Sequence, residues 1–251
     1  MKVAVVQHDI DWKAPTSTIE RLRPSVAMAA SAGARLIVLS EMYATGFSTA
    51  AAEIAQPMEG SAVTFLREAA ADHDAWVAAS VAISVDGGRA RNRFVAAGPA
   101  GELVSYDKRH PFSYADEHLE FEPGDEMVTF EVDGLRVTPF VCYDLRFGDD
   151  FWGRGPDTDL FVVPANWPER RRRHWSALLV ARAIENQCYV VGCNRVGHAD
   201  GLDYSGDSAI IDPLGEVLTT ASGIETVLIA DVTAERVAEV RRTFPFLQDR
   251  R

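Results

Sequence analysis

Lysine is almost missing from this chain. Of 25 basic residues only Lys2, Lys13 and Lys108 are lysine, so Lys108 is the single one beyond residue 13. An ammonium is a compact point charge where a guanidinium is a planar fork, and a lone ammonium in an arginine-using chain marks a position to follow. Cysteine is scarce as well. Cys142, Cys188 and Cys193 are odd in number and too few to brace 251 residues, which excludes a disulfide framework and leaves reduced thiols as the expectation. Positive charge in general is short: 25 Lys and Arg against 37 Asp and Glu give a formal charge of -12. That field repels phosphate backbones and anionic bilayers, so neither nucleic acid nor membrane is an expected partner. No run of about 18 uninterrupted apolar residues occurs, and the apolar run in MKVAVVQHDID is too short for a signal peptide. A cytoplasmic protein is expected.

Several catalytic motifs are also missing. There is no Gly-x-Ser-x-Gly elbow, His-Glu-x-x-His, phosphate loop or Gly-x-Gly-x-x-Gly, which argues against serine hydrolases, zinc proteases and nucleotide enzymes. His198 and Asp200 lie near Asp203, and Asp116 near His118, but neither group has a closed ligand spacing, so both read as solvated loops. No metal is expected.

What is present is an alternation of β-type runs with helical periods. Strands are expected at Val3–Gln7, Leu36–Ser40, Trp76–Ile83, Arg93–Ala97, Val137–Tyr143, Leu160–Pro164, Tyr189–Asn194, Ser208–Ile211 and Thr226–Ala230. Helices are expected at Thr16–Gly33, with Ser17 and Glu20 as a capping box and a kink at Pro24, at Ser61–Asp72 and at His174–Asn186. Alternating strands and helices imply an α/β architecture, and continuous runs such as LIVL and LFVVP imply strands buried on both faces. No linker, low-complexity segment or strong repeat interrupts the chain, so residues 1–251 read as one domain.

Polar groups stand where these strands end, which is where α/β sheets collect reactive groups. Glu41 follows LIVLS, Lys108 follows LVSYD, and Cys142 sits where VTPFV gives way to Tyr143, Asp144 and Arg146; a fourth strand runs out into ANWPERRRRHW. Taken singly, the cysteine reads as a small core residue, as Cys188 and Cys193 do, and the two charges as surface groups. Taken together they read as nucleophilic acyl transfer. A thiol titrating near 8.5 needs a base, and with no histidine following a strand in a comparable position, Glu41 is the simpler choice. The tetrahedral oxyanion would be held by Lys108 and the Tyr143 N–H.

These segments resemble the nitrilase superfamily of carbon-nitrogen hydrolases with its Glu-Lys-Cys triad. The likeness runs nearly end to end, through VAVVQHDIDW, LSEMYATGFS, YDKRHPF, VCYDLRF, ANWPERRRRHW, LLVARAIENQCYVVGCNRVG and YSGDSAIIDPLGEVL. The turn MYATGF, the Lys-Arg-His triplet and CYDLRF are most similar to the omega-amidase branch, which hydrolyses the terminal amide of dicarboxylic acid monoamides such as 2-oxoglutaramate and 2-oxosuccinamate. The resemblance implies a four-layer α-β-β-α sandwich, a homodimer, no cofactor, and a small-molecule amide as substrate. It also implies Glu41 as base, Lys108 as oxyanion-stabilising cation, Cys142 as nucleophile, and a second glutamate, Glu117, set before Phe121 and Gly124. The other reading of Glu117 is an exposed loop acid. Pro111 stands where the family more often has leucine.

A dicarboxylate monoamide presents a free carboxylate, which an arginine would hold by paired hydrogen bonds. Candidates are Arg146 and the run Arg170–Arg173, with Arg171 at the position resembling the family's arginine; Tyr43, Phe47, Asn166 and Trp167 are the expected pocket lining. Two other readings remain open: a carbamoyl-amide or nitrile hydrolase with the same triad, and a binding module on this fold without turnover.

Overall fold

The computed structural model describes residues 1–250. Among them run thirteen strands: β1 (Lys2–Gln7), β2 (Ala34–Val38), β3 (Trp76–Ile83), β4 (Arg91–Ala97), β5 (Leu103–Asp107), β6 (Phe130–Val132), β7 (Leu135–Pro139), β8 (Leu160–Ala165), β9 (Tyr189–Asn194), β10 (Val196–Ala199), β11 (Leu202–Ile211), β12 (Val217–Ser222) and β13 (Thr226–Asp231). Seven α-helices accompany them: α1 (Pro15–Ser31), α2 (Ala51–Ile54), α3 (Ser61–His73), α4 (Glu117–Glu120), α5 (Gly148–Arg154), α6 (Arg172–Asn186) and α7 (Ala234–Thr243).

Side-chain alternation decides the layering. Successive residues of a strand leave opposite faces of its sheet. In β1, Val3 and Val5 join one core and Ala4 and Val6 another; Leu36 and Val38 part from Ile37 in β2, and Phe94 and Ala96 from Val95 and Ala97 in β4. A sheet apolar on both faces has to be covered on both. One face lies under α1 and α3, through Ile19, Leu22, Phe65 and Leu66. The other packs on a second sheet, through Val137, Val162 and Val191 among others. That second sheet is covered in turn by Trp175 and Leu179 of α6 and Val237 of α7. The result is the expected α-β-β-α order of layers.

The first sheet has the order β13-β1-β2-β3-β4-β5 and the second β10-β11-β9-β8-β7-β6, with β12 beside β11. In each, three strands run parallel, β1-β2-β3 and β7-β8-β9, and the flanking pairs are antiparallel. The parallel strands all need crossover helices, which is why the helical periods fall between them. Near their C-terminal ends the sheets touch directly: the Cys193 thiol of β9 lies 3.5 Å from the Val6 carbonyl and 3.4 Å from that of Val38. Polar residues just past these ends from both sheets therefore face one another.

Most expected elements are found within a few residues, with three differences that have physical causes. Helix α1 starts at Pro15, whose missing N–H costs nothing in the first turn, and no side chain caps it; Ser17 hydrogen-bonds Asp11 instead, so the Ser17/Glu20 capping box is not formed. The helix continues through Pro24. The strand expected over Val137–Tyr143 ends at Pro139, and Cys142–Arg146 forms a 3-10 turn.

Phe161 is fully buried between Phe140, at 5.7 Å between ring centroids, and Phe151, at 4.9 Å. Truncation of such a ring leaves a cavity that close-packed neighbours fill only partly. Phe161→Ala is expected to lower the unfolding free energy by about 3–5 kcal/mol, read from urea midpoints at unchanged m; a loss below about 1 kcal/mol would contradict this packing.

Candidate active site

The turn after β2 sets the first group. β2 stops at Val38, but Leu39 N still bonds Ala78 O at 2.8 Å, so Glu41 leaves a fixed strand end. Met42 then adopts φ 40°, and its N–H donates to Ser80 Oγ at 2.9 Å. Glu41 is fully buried. Its Oε1 accepts from Lys108 Nζ at 2.9 Å and from Asn92 Nδ2 at 2.8 Å, and its Oε2 from Asn166 N, just past β8, at 2.9 Å.

Lys108 follows β5 and is 1% exposed. Besides Glu41 it reaches Glu117 at 2.8 and 3.1 Å, with Glu117 itself 0% exposed, which decides against the exposed-loop reading of that residue. Burial alone would lower the ammonium's pKa, yet the Glu117 and Glu41 carboxylates outweigh it and hold Lys108 above the ordinary lysine value. Glu117 also accepts from Phe112 N at 2.5 Å and from Asn92 Nδ2 at 2.9 Å.

Cys142 opens the 3-10 turn after β7 at φ 47°, a left-handed conformation that costs a non-glycine residue on the order of 1 kcal/mol or more. The turn is held by Asp144, which is fully buried and accepts from Val141 N, Tyr106 Oη and His110 N, each at 2.9 Å. Burial pushes the Cys142 thiol well above its ordinary pKa; the Glu41 charge adds to this and Lys108 opposes it. At neutral pH the resting sulfur therefore keeps its proton. As the second residue of the turn, Tyr143 has an N–H without an intrahelical partner.

Glu41, Lys108 and Cys142 line one cleft of about 180 Å³ together with Phe47, Phe112, Tyr114, Tyr143, Arg146, Asn166, Trp167, Arg170, Arg171, Asp200, Leu202 and Tyr204. Arg146 lies over the Trp167 ring at 4.8 Å and Arg171 over Phe112 at 5.3 Å. Of the arginine run, Arg172 turns away to pair with Asp207 at 2.5 Å, and Arg173 is not part of the lining.

Two expectations need correction. Tyr43 does not line the cleft: it is buried in the helix-side core and donates to Ala62 O at 2.7 Å, because the left-handed Met42 turns the chain away. A histidine does follow a strand, since His8 comes directly after β1. It is buried, with Nδ1 3.0 Å from Val6 O and Nε2 3.3 Å from Tyr43 O; burial lowers its pKa, and it lies outside the cleft. Sequence reasoning missed Asn92 and Ser80, although Asn92 shares the buried face of β4 with Phe94, a polar residue at an inward position. It also missed Asp144 as the anchor of the cysteine turn and Tyr204 and Asp200 in the lining. Cys188 and Cys193 are buried, as expected. His198 and Asp203 form an exposed pair at 2.7 Å.

The family model described as Carbon-nitrogen hydrolase matches residues 2–242. An omega-amidase of Escherichia coli is 40% identical over 254 residues, covering 99% of this chain and 96% of that protein. A 2-oxoglutaramate amidase of Bacillus subtilis is 34% identical, covering 98% and 96%. A crystal structure of a CN-hydrolase superfamily protein from Xanthomonas campestris, with an arsenic adduct in its active site, superposes with a TM-score of 0.95 at 36% identity over 100% of this chain and 97% of that one. The chain belongs to the carbon-nitrogen hydrolase family. Its fold is that of the nitrilase superfamily, and it is an amidase.

Burial pushes the Asp144 carboxyl up to about 6, against 3.8 in the unfolded chain. A raised pKa means stability present below about pH 4 and lost as pH rises through 6; the shift corresponds to roughly 3 kcal/mol. Asp144→Asn removes this titration. Relative to the variant, the wild-type unfolding free energy is expected to fall between pH 4 and 6 in urea titrations, and a flat difference would refute the perturbed carboxyl.

Proposed function

We propose that the chain hydrolyses the terminal amide of small dicarboxylic acid monoamides of the 2-oxoglutaramate and 2-oxosuccinamate type, releasing ammonia through a thioester on Cys142. One observation carries the substrate class. Arg171 stands in the same cleft as Cys142, half-buried over Phe112, with no ion pair or side-chain hydrogen bond to any described residue. Burial and the neighbouring Arg170 and Arg146 disfavour its charge. A guanidinium left unpaired in this way is a receptor for a carboxylate arriving with the substrate. The names of the Escherichia coli and Bacillus subtilis relatives point to the same class.

In this reading Glu41 takes the Cys142 proton, the sulfur attacks the amide carbon, and the oxyanion is met by Lys108 and the Tyr143 N–H. Lys108 has three N–H donors. One serves Glu41 and one is shared between the two oxygens of Glu117, at 2.8 and 3.1 Å, which leaves the third for the oxyanion. Glu41 then protonates the departing nitrogen, ammonia leaves, and the same carboxylate activates the water that opens the thioester. Glu117 orients Lys108. Arg146, Asn166, Trp167, Tyr143 and Phe47 complete the substrate's surroundings.

Three coarser readings accompany this one. Residues 1–251 act as one domain, because the two sheets share a single core and each contributes to the cleft. A homodimer would cover the exposed apolar Ile184 of α6 and the nearby Leu214. No helix among the described residues is long and apolar enough to cross a membrane, and the three cysteines are unpaired; both fit a cytoplasmic location.

Ammonia release from a panel of 2-oxo dicarboxylate monoamides, neutral amides, carbamoyl amines and nitriles tests the assignment. The monoamides are expected to dominate, and Arg171→Ala to raise KM for them about ten- to hundredfold with little change for neutral amides. Turnover of nitriles but not of 2-oxo amides would overturn it. Separately, Cys142→Ala is expected to remove activity by a factor on the order of 10⁴ or more while remaining folded. Alkylation with peptide mapping should label Cys142 well ahead of Cys188 and Cys193, and equal rates at all three would speak against a nucleophile.

A further inference from the structure

The reaction proposed above gives tasks to Glu41, Lys108, Glu117 and Cys142, and leaves Asn92, hydrogen-bonded to both carboxylates, without one. Asn92, 2% exposed on the inward face of β4, donates through the single atom Nδ2 to Glu41 Oε1 at 2.8 Å and to Glu117 Oε1 at 2.9 Å. Its Oδ1 accepts from Ser80 Oγ at 2.8 Å, and Ser80 Oγ accepts the N–H of Met42, the residue after Glu41. The Asn92 carbonyl in turn accepts from Lys108 N at 2.9 Å. One residue is thus tied to both carboxylates, the ammonium's backbone and the glutamate turn.

The direction of the amide follows from chemistry. Ionised carboxylates only accept, so the group facing them has to be the NH₂. Ser80, whose oxygen is already accepting from Met42, has its proton free for the amide oxygen. Both ends select the same orientation.

A carboxylate oxygen offers two lone pairs. Oε1 of Glu41 uses both, on Lys108 and Asn92, whereas Oε2 uses one, on Asn166 N. We infer that Asn92, oriented by Ser80, is a positioning residue that fills Oε1 jointly with Lys108 and so makes Oε2 the oxygen that exchanges the proton with Cys142. In that exchange the S–H bond breaks, an Oε2–H bond forms, and the proton later leaves with the nitrogen. This inference rests on Glu41 being the base.

The test is the pH dependence of kcat/KM for a 2-oxo dicarboxylate monoamide, with wild type, Asn92→Ala, Ser80→Ala and the double variant. Losing the Asn92 donor removes a hydrogen bond that favours the charged form of Glu41, so the acid limb is expected to move up by about one pH unit. The fall is expected in kcat, with KM within about twofold. Ser80→Ala frees the amide and should shift the limb in the same direction by less. Ser80 also holds the Met42 N–H, so the double variant should shift the limb by less than the sum of the two single shifts, because the part of the Ser80 effect carried by the amide disappears with Asn92. A general loss of packing would lower the rate without moving the limb. An unmoved limb in both single variants, or additive shifts in the double variant, overturns the inference; if Asn92→Ala fails to fold, the Ser80→Ala limb decides alone. Glu41→Gln separates the two levels of the argument. Full activity there would remove the base assignment itself, whereas an inactive Glu41→Gln with an unmoved Asn92→Ala limb removes only the role of Asn92.

Discussion

Everything at the centre of this molecule depends on one ammonium held between two carboxylates away from water. Lys108, Glu41 and Glu117 are each no more than 1% exposed, and removing such charges from solvent is costly unless every one of them is paired and hydrogen-bonded. The pairing is Lys108 to both acids; Asn92 Nδ2, Phe112 N and Asn166 N add further hydrogen bonds, so that one lone pair stays open, on Glu41 Oε2. Those donors come from β4, from the segment after β5 and from the end of β8. Satisfying three charges therefore requires both sheets to meet in one register.

The same requirement explains where the backbone is strained. Met42 and Cys142 both carry positive φ, and each sits beside a residue of the cluster or belongs to the cleft itself. At Met42 the turn lets Ser80 bind the N–H behind Glu41; at Cys142 it lifts the thiol out of the β7 direction, with Asp144 holding the turn from below. Rigid strands supply position and short strained turns supply direction. The cleft mouth adds a local charge opposite to the global one. In a chain of formal charge -12, Arg146, Arg170 and Arg171 converge on one cleft, so an anion repelled by the molecule at large finds one favourable entrance.

Glu41, Lys108 and Cys142 are legible in the sequence because each ends an apolar run abruptly, and the C-terminal ends of strands in an α/β sheet are where reactive groups gather on physical grounds alone. Asn92 is not. It lies within β4, whereas the β-type pattern of the sequence starts one residue later, at Arg93; a single inward polar residue is also compatible with a satisfied core amide. Tyr43 escapes sequence reasoning for another reason. Spacing along the chain says that it follows Glu41 by two residues, but a left-handed residue between them reverses the direction of the side chains. His8 follows β1 directly, and only the folded chain shows that its ring is held by the Val6 and Tyr43 carbonyls outside the cleft.

The amino-acid order by itself determined the α/β class, the layer faces of the strands and the chemical kinds of group available, because period-2 apolar alternation and charge are local properties of the chain. It did not determine that Arg171 is half-buried without a partner, that Glu117 is enclosed rather than solvated, or that one amide bridges two carboxylates. Those depend on which strand ends meet across the two sheets, and hydrogen-bond geometry at about 3 Å is decided only when segments far apart along the chain have packed against each other.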